Sequence, residues 1–433
     1  MGTINKCKFI HILPADTDYA YWFLKMMDEN NDDCENHSFL IAANSKTVLK
    51  RYTKLMEFSD SLMYLVGGTE GKEAKKRYSH LIEKLNSAEW IIWHGFDFDT
   101  IDIVKVLYNK KKLLAKSIWI CNTRELAVTR FNDEELNTKA IALDKKFNKI
   151  VSALPYVVYN DSFILNRLSN YDIDDDKKIY IPYLLDPDFY KDSQKTLLKL
   201  LKEKEELERE SELEDGVSEE YEYLDDDEYF DDEEEIDIDE DEYLDEEEPE
   251  EDTRVKVQFD FGLYDVSKNV ACAKILRTLV KEEKIALTIP SEIWLNGIKV
   301  VRSSKDAKLL AIFNALFGKK VCYKNASFGI ENYYRYLDEN VDCVVISSDI
   351  IVKPIYLFAC IMAGKTFIVQ KNNPYYQFLT NLGCNVIDLD KLKNTDELIL
   401  DKEPTLNLSN VKNYFDVNSI FAEWDSFFHS LTK

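Results

Sequence analysis

No apolar run in this 433-residue chain reaches 18 residues, so no segment is expected to cross a bilayer as a helix. The cysteines stand at 7, 34, 121, 272, 322, 343, 360 and 384, and no two share CxxC spacing. That argues against a structural zinc site and predicts reduced, buried thiols, as in a cytosolic protein. The opening MGTINKCKFIHIL has only a short apolar run, which predicts a first strand and not a secretory signal. Gly2 invites comparison with the myristoylation pattern, but Lys6 stands where Ser or Thr is needed. An Asp-x-Asp-x-Asp-Gly loop with its distant Glu is also missing, which excludes a calcium loop of that kind. No RNA- or DNA-binding motif is present, so nucleic acid is not an expected partner.

Acidity is abundant but confined. The net charge is −26, yet residues 203–252 hold 32 Asp and Glu against 2 Lys and Arg. The remainder carries 53 basic and 49 acidic residues and is slightly basic. Like-charge repulsion and few aliphatic residues predict disorder from Ser211 onward. Such a tract would serve as a solvated linker or bind a basic protein partner.

Most of the other residues alternate between short apolar strands and helices. Val344–Ile346, Thr366–Val369 and Asn385–Ile387 read as buried strands. Between them lie helices that open at Pro354 and Pro374 and close at Gly364 and Gly383. Such alternation implies a parallel sheet with helices on both faces. A second unit of the same kind is expected near the start: Cys7–Leu13, Ser38–Ala42, Leu62–Val66, Trp90–Trp93, Ser117–Cys121, Tyr156–Val158 and Lys178–Ile181 as strands. Leu197–Glu210 reads as a charged helix. Asn410–Leu431 is amphipathic, with Ile420, Phe421, Trp424 and Phe428 on its apolar face.

The expected division is therefore residues 1–190, an α/β Rossmann-like domain; 191–252, the acidic insert; 253–409, a second such domain; and 410–433, a helix packing back on the first. Two doubly wound domains facing a cleft, with a C-terminal helix, resemble the GT-B glycosyltransferase architecture.

Particular segments carry a closer resemblance. FIHILPADTDYAYWFLKMMDE, WHGFDFDTIDIV, IYIPYLLDPDFY, DFGLYDVSKNV, LFGKKVCYKNASFGIENYYRYL and above all GKTFIVQKNNPYYQFLTNLGCNVID are similar to the 4-alpha-L-fucosyltransferase family. Those enzymes transfer 4-acetamido-4,6-dideoxygalactose from a TDP-sugar to a polyprenyl-linked acceptor. The resemblance implies a metal-independent, inverting transfer of a sugar, such as an amino-deoxy sugar, from a TDP- or UDP-linked donor to a lipid-linked or surface-glycan acceptor. It implies no separate cofactor. It also implies envelope polysaccharide synthesis, in the cytoplasm or peripheral on the inner face of the membrane. SIWICNTREL, IPSEIWLNG and SSDIIVKPIY depart from the family's donor loops. That departure keeps open a non-catalytic GT-B-like scaffold binding a partner through its cleft or acidic insert.

Ligands of doubly wound sheets bind outside the carboxyl ends of the strands. Ser347, Ser348 and Lys353 precede one helix there, and Tyr264, Ser267 and Asn269 precede another. Helix starts favour anions, and a lysine suits a pyrophosphate. Ser and Asn also cap helices everywhere, so the same residues fit plain capping. Trp294, in the altered IPSEIWLNG loop, joins the donor candidates. Glu331 begins a helix, where the resemblance places a ribose ligand and the helix dipole alone would also favour a carboxylate.

His94 and Asp97 follow a buried strand, and Asp16 follows the first strand. These are the candidate bases that would take a proton from the acceptor. His94 equally fits a loop histidine packed on Trp93, and His11 reads as a core or cleft-wall residue. The segment VKVLYNKKKLLAK, Val104–Lys116, carries five lysines that suit either plain solvation or an anionic membrane surface.

Overall fold

The computed structural model describes residues 8–15, 18–30, 36–43, 62–67, 71–98, 101–121, 146–160, 164–165, 168–215, 254–260, 266–295, 298–302, 307–347, 354–393 and 406–432. The first half runs β1 (Phe9–Pro14), α1 (Asp18–Asn30), β2 (His37–Ala43), β3 (Leu62–Val66), α2 (Gly71–Ser87) and β4 (Trp90–Trp93). A small ribbon, β5 (Asp97–Phe98) and β6 (Ile101–Asp102), follows. Then come α3 (Ile103–Asn109), α4 (Lys111–Leu114), β7 (Ser117–Ile120), β8 (Tyr156–Tyr159), β9 (Lys178–Tyr180) and α5 (Pro187–Asp215).

The seven main strands form one sheet in the order β3-β2-β1-β4-β7-β8-β9, parallel throughout. Both faces are covered, as the unbroken apolar strands require. On one face α2, α3 and α4 pack Leu81, Leu85, Val106 and Leu113 around Trp93 and Trp119. On the other, α1 packs Phe23 and Met27 against Phe9, Phe39 and Ile92.

The second half runs β10 (Val255–Asp260), α6 (Val266–Lys281), β11 (Ile285–Leu295), β12 (Ile298–Arg302), α7 (Ala307–Phe317), β13 (Val321–Phe328), α8 (Ile330–Asn340), β14 (Cys343–Ile346), α9 (Pro354–Met362), β15 (Thr366–Val369), α10 (Pro374–Asn381) and β16 (Val386–Asp388). Parallel pairing gives the order β13-β11-β10-β14-β15-β16. Antiparallel β12 joins the extended end of β11. Each sheet therefore runs outward from its first strand in both directions. The order reverses at β1/β4 in the first and at β10/β14 in the second.

Two helices cross between the halves. α5 leaves the first sheet and lies along the second half, where Phe189, Tyr190 and Leu197 share a core with Tyr334, Leu337 and Phe358. It is longer than the expected 197–210 helix and begins before residue 191, because Phe189 and Tyr190 are themselves buried. The acidic residues 216–252, expected to be disordered, lie outside the described residues. After α11 (Leu408–Val411), α12 (Val417–Leu431) returns to the first sheet and packs on α1. Its buried residues Ile420, Trp424, Phe427 and Phe428 keep helical spacing, and Asp416 caps its start by accepting from the Ser419 N–H.

Candidate functional site

In the second half, the crevice at β10/β14 is closed by two polar side chains. Ser347 is the residue after β14, and Asn269 lies in the first turn of α6, the helix that follows β10. The Ser347 hydroxyl donates to Asn269 Oδ1, and both side chains are buried. Ser267 and Asn269 thus belong to the helix they were expected to precede. Deeper in the same half, Tyr336 donates to Gln258 Oε1 at 2.9 Å, and Gln258 in turn donates to the Tyr356 hydroxyl. This network joins β10, α8 and α9. Burying an amide in a central strand is costly without such partners.

Glu331 does not stand in that crevice network. It opens α8, and its Oε1 accepts from Lys199 at 2.8 Å and from Arg335 at 3.1 Å. Glu203 pairs with Arg335 as well, at 2.8 Å, so four charges tie α5 to α8. The Lys199 hydrogen bond, with Arg335 after it, holds the Glu331 carboxyl below its usual range. Trp294 lies in β11, and Ser267 in α6. Tyr264, Ser348 and Lys353 lie outside the described residues, as does Asp16 in the first half.

In the first half, the crevice at β1/β4 is lined from below by histidines. His94 is the residue after β4, and its N–H donates to Ile12 O at 3.0 Å. Gly95 follows with φ +102°, a conformation that favours glycine and turns the chain into the β5–β6 ribbon, which holds Asp97. Far from lying open at the strand exit, His94 is 3% exposed. Its Nε2 lies 3.0 Å from His11 Nδ1, and His11 Nε2 lies 2.9 Å from His37 Nδ1. Phe23 of α1 and Trp424 and Phe428 of α12 cover this row. Burial holds the His94 imidazole well below its ordinary pKa. His11 is lowered too, first by burial and then by the neighbouring His37 and His94. His11 was expected as core or cleft wall; it is buried, and both of its ring nitrogens meet other histidines. The sequence signal for the row was a single polar residue inside the apolar strand FIHILP.

The lysine-rich segment forms α3, α4 and the start of β7. Lys105, Lys110, Lys111 and Lys112 are exposed, and so is Tyr108. Lys116 instead donates to the carbonyls of Asn86 and Ala88 and fastens this segment to the end of α2. Lys146 sits 5.6 Å over the Tyr108 ring and extends the basic surface.

No family model matches this chain, and no curated protein matches it in sequence. Solved structures do match in shape. HepE from Anabaena, in complex with UDP and glucose, superposes with a TM-score of 0.52 over 98% of this chain and 100% of its own, at 11% identity. A glycosyltransferase from Rickettsia africae gives 0.51 over 99% of each chain, at 12% identity. Sucrose-phosphate synthase from Thermosynechococcus elongatus gives 0.54 over 98% of each, at 8% identity. The fold is GT-B. At such identities the likeness is one of fold.

Proposed function

We propose that this chain is a glycosyltransferase that takes its sugar from a UDP- or TDP-linked donor. The observation that carries this reading is the buried Ser347–Asn269 pair at the β10/β14 reversal, where the start of α6 favours an anion. A GT-B relative in shape, HepE, is described in complex with UDP and glucose, which supports the choice of donor. In this reading residues 253–409 hold the donor. Tyr264, Ser267, Trp294, Ser348 and Lys353 complete its site around Asn269 and Ser347. Lys353 and the α6 start meet the diphosphate in place of a divalent metal. Glu331 would reach the ribose through Oε2, which neither of its two ion pairs uses.

Residues 1–190 hold the acceptor, with His94, Asp97 and Asp16 as candidate bases for an inverting transfer. The acceptor is lipid-linked or a surface glycan, and the exposed lysines of α3 and α4 rest on an anionic membrane on its cytoplasmic side. The acidic residues 216–252 take a basic protein partner. A second reading, a scaffold that uses the cleft without catalysis, is favoured by the ion pairs that already occupy Glu331.

A thermal-shift series with UDP, TDP, GDP and CMP tests the donor site. A nucleotide at about 100 times its Kd stabilises the native state by roughly 2.7 kcal/mol. The expected result is a shift with UDP or TDP that is lost in Lys353→Ala. The absence of a shift with all four would leave the scaffold reading.

A further inference from the structure

We propose that His94, His11 and His37 form one proton relay, with His94 Nδ1 as its receiving end and His11 and His37 as positioning residues. The inference rests on the glycosyltransferase reading above for the source of the proton.

The strand register sets the row. His37 pairs in register with Phe9, His11 with Phe39, and Ile12 with Trp93, the residue before His94. The three imidazoles therefore sit at successive two-residue steps along the strand axis. Two-residue steps keep all three on one face of the sheet. The ring centroids step by 5.3 Å from His94 to His11 and by 5.2 Å from His11 to His37, from the carboxyl end of the strands toward their amino end.

Proton counting couples the three rings. A neutral imidazole has one N–H and one bare nitrogen. His11 uses both nitrogens on histidines, so one must donate and the other accept. The two contacts then point the same way. In one arrangement His94 Nε2 donates to His11, His11 Nε2 donates to His37, and His94 Nδ1 is a bare lone pair. In the other, every bond is reversed and His94 Nδ1 carries the proton.

His94 Nδ1 is the second observation. It is buried and has no hydrogen-bond partner. A buried polar atom left unpaired weakens the fold. Three histidines that only filled a core would have no need of this open end. The His94 ring lies at the carboxyl end of the sheet, its centroid 5.7 Å from that of Tyr19 in α1. Tyr19 and its neighbour Tyr183 are the other titratable groups here, and burial keeps Tyr19 protonated. The α12 side of the row presents Trp424 and Phe428.

The step balances. The acceptor O–H breaks and its proton goes to His94 Nδ1. The oxygen keeps the electron pair and bonds to the anomeric carbon, while the bond from that carbon to the nucleotide diphosphate breaks and its pair leaves with the phosphate. The Nε2 proton of His94 passes to His11 Nδ1, and the Nε2 proton of His11 passes to His37 Nδ1. The positive charge ends on His37, at the far end from the reacting centre.

The test uses the full chain labelled with nitrogen-15 in its five histidines, with exposed His80 and His429 as controls. The ring-nitrogen shifts are expected to show all three buried histidines protonated at Nε2, with His94 Nδ1 bare. A proton resting on His94 Nδ1, or opposite senses at His94 and His37, would overturn the relay. His37→Gln supplies the functional arm, because glutamine can donate and accept but cannot pass a charge. Release of nucleotide from the sugar nucleotide that stabilises the chain should fall roughly tenfold or more in kcat. The donor KM and the thermal midpoint should stay near wild type. Full turnover in His37→Gln would sink the proposal, and His11→Gln repeats the test should His37→Gln misfold. Failure of the donor reading shows separately, as no nucleotide-dependent thermal shift in wild type, and the nitrogen shifts then decide the relay alone.

Discussion

Ser347 and Asn269 are 78 residues apart in the chain and share a buried hydrogen bond at the reversal of the second sheet. Neither residue stands out alone, since serine and asparagine are common at helix starts. Their junction depends on β14 lying directly beside β10, which places the exit of one strand against the helix that follows the other.

Asn269→Ala removes that acceptor from the buried Ser347 hydroxyl. The expected loss of stability is about 1–3 kcal/mol. UDP-dependent stabilisation in a thermal-shift assay should fall with it. A variant that loses stability but keeps its full nucleotide response would separate a packing role from a binding one.

Stability should fall on mild acidification. His11 and His94 are held below the ordinary histidine value of 6.5 in the folded chain. The unfolded state therefore binds more protons at low pH, and stability rises with pH. The contribution is complete above about pH 6.5 and is lost progressively below it, toward the folded values. Urea unfolding between pH 5 and 8 would show this. The slope should flatten in His11→Gln.

Phe428→Ala should be costly. The ring packs against His37 at 4.9 Å, Phe9 at 5.1 Å and Trp424 at 5.5 Å, and is 5% exposed. Deleting such a ring costs about 3–5 kcal/mol. Equilibrium denaturation measures it. A loss below about 0.5 kcal/mol, the range of surface substitutions, would mean that α12 does not dock on the first sheet in solution.

Labelling of Cys343 should be slow in the native state. Cys121, Cys272, Cys343 and Cys360 are buried, and burial, followed by the nearby Asp342 charge, pushes the Cys343 thiol up to about 12. The thiolate is the reactive form, so Cys343 should react with a thiol reagent only on unfolding. Mass spectrometry of protein labelled before and after denaturation distinguishes the two outcomes.

Much of the fold was legible because short parallel strands are buried on both faces and so read as apolar runs. Leu62–Val66, Trp90–Trp93 and Thr366–Val369 are strands with the bounds their composition implies. The exit of β11 was not legible. The resemblance placed IPSEIWLNG among the donor loops. In the structure the strand continues to Leu295, and the register with β13 shifts between Pro290 and Glu292. A bulge absorbs the N–H that Pro290 lacks. The start of α5 was missed because charges dominate that segment, while its anchors Phe189 and Tyr190 are few.

The sequence by itself determined the alternation of strands and helices, the confinement of acidity to one tract and the apolar stripe of the last helix. Each follows from local spacing and local charge. Only the tertiary structure decided that His11, His37 and His94 share one row, that Ser347 meets Asn269, and that Glu331 pairs with Lys199. Those contacts join residues 26 to 132 positions apart. Strand order and register set them, and neither is written in any local window of the chain.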